Sequence, residues 1–162
     1  MKELVKNRKL ICLLVLFSAI KCLAQEDNKT TIVFVCEHGG ARSTIASVYF
    51  NKIARENHLP YQSIFRGLTP DSVITNETKK GLIEDGFETT SLSPVRLSEK
   101  DIHTNTLLIS LDCAPPPLYN SYHSWKGIPM ISEDYVTARN AIIKHVNELI
   151  NELKNKSKTS KN

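Results

Sequence analysis

Thr31-Ile32-Val33-Phe34-Val35 is a β-branched and aromatic run with no polar alternation, the pattern of a strand covered on both faces in a parallel sheet. Beyond Ser43 the period changes: Ile45, Ala46, Tyr49, Phe50, Ile53 and Ala54 recur at helical spacing on one face. A strand, a glycine-bearing loop and a helix therefore follow one another. Tyr61 to Gly67 predicts a second strand, and Thr75 opens a helix that Gly86 closes. Ser98, with Asp101 three residues on, marks a short capped turn. Thr106 to Leu111 reads as a third buried strand and Ile128 to Ile131 as a short fourth, separated by a loop rich in proline and aromatics from Asp112 to Gly127. The last element is a long helix from about Asp134, with Tyr135, Ala138, Ile142, Val146, Leu149, Ile150 and Leu153 as its inward stripe. Alternating strands and helices predict one α/β domain over residues 29–154, a four-stranded parallel sheet with right-handed crossovers and helices on both faces. Ligands in such sheets sit at the carboxyl ends of strands. Cys36 occupies that position on the first strand.

Residues 1–24 follow another pattern. Lys2, Lys6, Arg8 and Lys9 precede an apolar run from Leu10 to Ile20, and Cys22-Leu23-Ala24 ends on a small residue. This reads as a signal peptide cut before Gln25, so a secreted or periplasmic protein is expected. The run is shorter than the roughly 20 residues of a membrane span, and no span is expected after cleavage. Lipoprotein anchoring through Cys22 is disfavoured by Lys21, which stands where such sites take a small residue. The cut changes the charge. The chain has 21 Lys and Arg against 17 Asp and Glu, of which residues 1–24 hold five and one, leaving 16 against 16. What basicity remains is local, at Lys154, Lys156, Lys158 and Lys161, and residues 155–162 read as a basic, disordered tail. A nucleic-acid footprint is not expected. Cys36 and Cys113 are the thiols that survive cleavage, too few for a disulfide scaffold.

The chemistry concentrates in Cys36-Glu37-His38-Gly39-Gly40-Ala41-Arg42-Ser43. Five residues separate a cysteine from an arginine, and the loop runs straight into a helix. Such a loop can curl its backbone N–H groups around a tetrahedral oxyanion, aided by the positive end of the helix. Gly39 and Gly40 permit the left-handed backbone a tight curl demands. The same field favours Cys36 as a thiolate, and the planar fork of Arg42 can clamp two oxygens. Nothing in the pattern calls for a metal or a cofactor.

The segment IVFVCEHGGARSTIASVYFNKIA, the strand LLISLDC, and WKGIP followed by ARNAII resemble the low-molecular-weight protein tyrosine phosphatase superfamily, which includes the thioredoxin-coupled arsenate reductases. The resemblance covers nearly all of the mature chain. It implies that Cys36 is the nucleophile, Arg42 the oxyanion clamp and Ser43 the hydroxyl that holds the thiolate, with Glu37, His38, Gly39, Gly40 and Ala41 forming the substrate-binding loop. The chain also departs from that pattern. His38 and Gly39 stand where the family has glycine and asparagine, and Ala41 where a second cysteine is frequent. Glu37 is expected to point outward and His38 toward solvent. Ile128-Pro129 replaces the family's Asp-Pro, whose acid protonates the leaving oxygen. Glu133 and Asp134 are the candidate substitutes, against their ordinary role at a helix start. Cys113 lies near the place of the reductases' first resolving cysteine, and a strand-end thiol is the equal alternative. The resemblance implies hydrolysis of phosphomonoesters through a cysteinyl-phosphate, in the manner of a protein tyrosine phosphatase. Arsenate reduction through a thiol-arsenate adduct, with a thiol reductant as partner, and an oxyanion-binding module without turnover are the alternatives. Tyr119, Tyr122, His123 and Trp125 are expected as an aromatic wall beside the site.

Overall fold

The computed structural model describes residues 30–103, 105–117, 119 and 122–159. The signal-peptide reading of residues 1–24, and Cys22 with it, lies outside the described residues.

Strand β1 (Thr30–Cys36) leads into α1 (Arg42–Glu56), β2 (Tyr61–Gly67), α2 (Asn76–Glu84), a 3-10 helix (Glu99–Asp101), β3 (Thr106–Leu111), β4 (His123–Trp125) and α3 (Tyr135–Thr159). The four strands form one parallel sheet in the order β2-β1-β3-β4. β1 is central, so its side chains are covered above and below, as its unbroken apolar run requires. Ile32, Phe34 and Cys36 face Ile45, Phe50 and Ala54 of α1 and Ala138, Ile142 and Val146 of α3. Val33 and Val35 face the other way, into a second cluster with Leu97, Leu108, Cys113 and Tyr119, closed by Ile102 beside the 3-10 helix. Phe34 anchors the first layer, its ring 5.8 Å from Phe50 edge-on and 5.4 Å from Trp125.

Two elements differ from the sequence reading. The fourth strand is His123–Trp125, registered Ile109 to His123 and Leu111 to Trp125, and not Ile128–Ile131. Ile128 and Ile131 are buried all the same, as anchors of the segment that crosses toward α3. α3 runs on to Thr159, so residues 155–159 continue a helix where a disordered tail was expected.

One polar cluster ties the three α-helices together. Asp85, at the end of α2, accepts hydrogen bonds from the hydroxyls of Tyr49 on α1 (2.7 Å) and Tyr135 on α3 (2.6 Å), and it pairs with Arg139. Burial pushes the Asp85 carboxyl up, but the Tyr135 and Tyr49 hydroxyls and the Arg139 guanidinium outweigh it and hold it below the ordinary carboxylate value. The Tyr135 ring lies so close over α2 that a Cβ on Gly81 would come within 2.3 Å of it. Gly81→Ala must therefore displace Tyr135 from Asp85. The expected loss is about 1–3 kcal/mol of stability, read as a lower urea midpoint at unchanged slope.

Candidate functional site

The parallel register carries the ends of β1, β2 and β3 to one edge, with Cys36 opposite Gly67 and Asp112 directly after Leu111. The chain from Cys36 to α1 cannot rise straight from that edge. It turns at Gly39 (φ +68), where a Cβ would lie 2.9 Å from the Gly67 backbone nitrogen. A side chain is thus excluded there by both conformation and space.

The carbonyls of this loop all have partners on its outer side. Cys36 accepts from Leu68 N–H, Glu37 from Thr69, His38 from Asp71 and Gly40 from Thr75. The Thr44 hydroxyl donates to the Gly39 carbonyl at 2.7 Å. The backbone N–H groups of residues 37–43, by contrast, donate to no protein acceptor among the described residues. α1 begins at Arg42 with Ala41 as an N-cap that supplies no side-chain bond, and its first turn holds no acid. Carbonyls outward and donors inward, at the start of a 15-residue helix, make a nest for an anion.

At its base Cys36 is 3 % exposed. Its Sγ lies 3.1 Å from the Ser43 Oγ, and that hydroxyl is also 3.3 Å from the Arg66 carbonyl. A hydroxyl has one proton to give. With Cys36 as thiol, Ser43 can donate to Arg66 and accept from S–H; with Cys36 as thiolate, it must turn and donate to sulfur. Ser43 is therefore a rotor that follows the charge on Cys36.

Arg42 is fixed by a residue that the sequence reading missed. Its Nη1 is 3.0 Å from Asp112 Oδ2, leaving Nε and Nη2 available for two oxygens of a ligand. Asp112 also accepts the N–H groups of Gly127 (2.9 Å) and Ile128 (2.9 Å), so one carboxylate sets both the clamp and the segment that becomes the far wall. The signal was present in the sequence as an aspartate immediately beyond a buried strand, at the edge where Cys36 also ends. Its backbone has φ +48, a conformation aspartate tolerates better than most side chains.

These groups line a pocket of about 180 Å³, walled by Cys36, Glu37, Ala41 and Arg42 on one side and by Met130, Ile131 and Ser132 on the other. That is below the roughly 300–1,000 Å³ of sites that engulf drug-sized molecules. It suits a small anion whose remainder projects outward. Glu37 borders the pocket, but its carboxylate is taken by the Thr69 hydroxyl at 2.6 Å. His38 stands on the rim, its side chain 61 % exposed. Asp71 from the loop after β2, with Thr75 and Glu77 from the start of α2, completes that rim, and nothing in the sequence pattern ties these residues to the Cys36 loop.

Three expectations fall elsewhere. Glu133 and Asp134 do not border the pocket; Asp134 accepts from the backbone N–H of Thr137 at 3.1 Å and from its hydroxyl, capping α3, and these bonds hold its carboxyl below the ordinary value. The aromatic wall is absent from the site. Trp125 stacks on His145 and packs on Phe34, while Tyr119 sits in the cluster on the opposite face. Met130, 58 % exposed, takes the wall's place. Cys113 is unpaired, as is Cys36, and it packs on the opposite face with its Sγ 3.4 Å from the Val35 carbonyl. Burial, with the charge at Cys36 adding to it, pushes the Cys113 thiol up to about 11. Among the described residues no group of three or more His, Cys, Asp or Glu side chains could hold a metal ion.

Solved structures share this arrangement of strands and helices. An arsenate reductase from Archaeoglobus fulgidus superposes with a TM-score of 0.61 at 21 % identity, over 74 % of this chain and 98 % of its own. A low-molecular-weight phosphotyrosine phosphatase from Vibrio cholerae gives 0.66 at 14 % identity, over 77 % and 97 %. This is the low-molecular-weight phosphatase fold. YfkJ from Bacillus subtilis has it too, at a TM-score of 0.69 and 14 % identity over 80 % of this chain and 97 % of that one. No protein-family model matches the sequence, and no curated protein does.

Proposed function

We propose that the chain is a member of the low-molecular-weight phosphatase and arsenate reductase superfamily that hydrolyses phosphomonoesters, of the protein tyrosine phosphatase type, outside the cytoplasm. One observation carries this reading: the Cys36 sulfur stands at the base of a loop whose carbonyls are all engaged and whose N–H groups donate to no protein acceptor among the described residues, between Arg42 and the Ser43 hydroxyl. Sulfur attack on phosphorus forms the S–P bond and breaks the P–O bond to the leaving group. The loop amides and Arg42 stabilise the charge on the equatorial oxygens, and water then releases phosphate and returns the thiolate to Ser43. The test is aryl phosphate hydrolysis by residues 25–162, with rapid quenching and mass spectrometry. A phosphate adduct on Cys36 is expected; hydrolysis without one would overturn the assignment. Export is checked by N-terminal sequencing of the protein recovered outside the cytoplasm, which is expected to begin at Gln25.

Arsenate reduction is the second reading, favoured by a pocket that fits a bare tetrahedral anion and by Ile128 standing before Pro129 in place of an acid. Cys113, protonated and turned to the opposite face, would serve as resolving thiol only after residues 112–117 move. An external thiol reductant is then the expected partner. Arsenate-dependent consumption of added dithiol, with no aryl phosphate turnover, would select this reading.

A further inference from the structure

A phosphoryl group leaving an alcohol or a phenol needs a proton at the departing oxygen, and such help is worth roughly 10²–10⁴-fold in rate. The acids suggested by sequence are not at the pocket. Its titratable residues are Cys36, Arg42, Glu37, His38, Asp71 and Glu77. Cys36 and Arg42 are committed to attack and clamping. Glu37 is engaged by Thr69, and Glu77 belongs to the first turn of α2 and not to the loop around the anion. Of the side-chain types left, imidazole is the one whose reference titration lies near neutrality.

His38 is also held. Its Nδ1 is 3.2 Å from the Thr69 carbonyl, and a carbonyl can only accept, so Nδ1 carries a hydrogen and the exchangeable position is Nε2. Asp71 Oδ1 lies 3.6 Å from the same Nδ1, and the Asp71 N–H donates to the His38 carbonyl at 3.0 Å. The ring is thereby bound to the wall from β2 through one nitrogen. No partner occupies the other among the described residues.

We infer that His38 is the proton donor to the leaving oxygen, with Asp71 as the positioning residue that holds its ring; the inference rests on the phosphatase reading above. In the first step the Cys36 sulfur bonds to phosphorus, the P–O bond breaks, and the proton on His38 Nε2 passes to the departing oxygen. In the second, neutral Nε2 takes a proton from the attacking water as the O–P bond forms and the S–P bond breaks, which restores imidazolium and thiolate. The charged groups that share the pocket with the ring are Asp71 and Glu77 after β2, Glu37 in its own loop and Arg42 at the start of α1.

The experiment compares two substrates with His38→Gln and Asp71→Asn. Phenyl phosphate, like phosphotyrosine, releases a phenol with a pKa of about 10 and needs the proton; 2,4-dinitrophenyl phosphate releases a stable anion. His38→Gln is expected to lower kcat about 10²-fold or more on phenyl phosphate and far less on the dinitrophenyl ester. Asp71→Asn loosens the ring without removing it, so it is expected to lower kcat on phenyl phosphate by less than His38→Gln does, with KM unchanged and the dinitrophenyl ester nearly unaffected. Equal losses on both esters, or no loss on either, would overturn the role of His38 while leaving Cys36 chemistry intact. Failure of the unaltered protein to hydrolyse either ester would overturn the phosphatase reading and the inference together.

Discussion

Cys36→Ser is expected to abolish turnover, by about 10⁴-fold or more, while keeping the fold and the affinity for phosphate. The retained affinity follows from the geometry. The anion's partners are the loop N–H groups and Arg42, and the carbonyl bonds that shape the loop involve no side chain of residue 36. The lost turnover follows from chemistry. A serine hydroxyl keeps its proton at neutral pH, and among the described residues no base is hydrogen-bonded to the side chain at position 36. Its neighbours are the Ser43 hydroxyl and, beyond that, the Arg66 carbonyl. Phosphate should still raise the melting temperature of the Cys36→Ser protein in proportion to the logarithm of its concentration. Residual hydrolysis within tenfold of the parent would mean that another group attacks phosphorus.

The parts of the site legible in the sequence are those that follow from one continuous segment. β1, the loop and α1 announce themselves because the hydrophobic period changes from an unbroken run to helical spacing across Cys36 to Arg42, with glycine where the backbone must turn back. The parts that were missed are brought in from elsewhere by the parallel register. Asp112 meets Arg42 because β3 pairs with β1, and a lone aspartate after a strand does not state which strand lies beside it. Asp71 and Thr75 join the rim because the chain after β2 donates its N–H groups to the loop carbonyls, a backbone contact with no side-chain signature. β4 was misplaced for a different reason. Its three residues are exposed or half-buried, while Ile128 and Ile131 are buried without pairing, and apolar character reports burial before it reports strand. α3 runs past residue 154 because lysine is a good helix former and no glycine or proline interrupts residues 154–159, so a basic, polar composition did not mark the helix end.

Arg42→Lys is the other large effect expected, a loss of about 10²–10³-fold in kcat, comparable to removing a principal oxyanion donor. Charge alone is not what the position supplies. Asp112 takes one nitrogen of the guanidinium at 3.0 Å and leaves Nε and Nη2 coplanar and fixed, so two phosphoryl oxygens can be met without further ordering. A lysine has one nitrogen. If that nitrogen stays on Asp112 it is lost to the anion, and if it turns to the anion, Asp112 is left half-buried without its cation and repels the ligand it formerly helped to bind. Asp112→Asn separates the two contributions, because it keeps an acceptor near Arg42 and near the Gly127 and Ile128 N–H groups while removing the charge; a smaller loss, about tenfold, is expected. Steady-state kinetics and phosphate titration of the two variants measure this order. An Arg42→Lys protein with near-parental kcat, or an Asp112→Asn protein more damaged than it, would show that the arginine acts as a diffuse positive charge and not as a positioned fork.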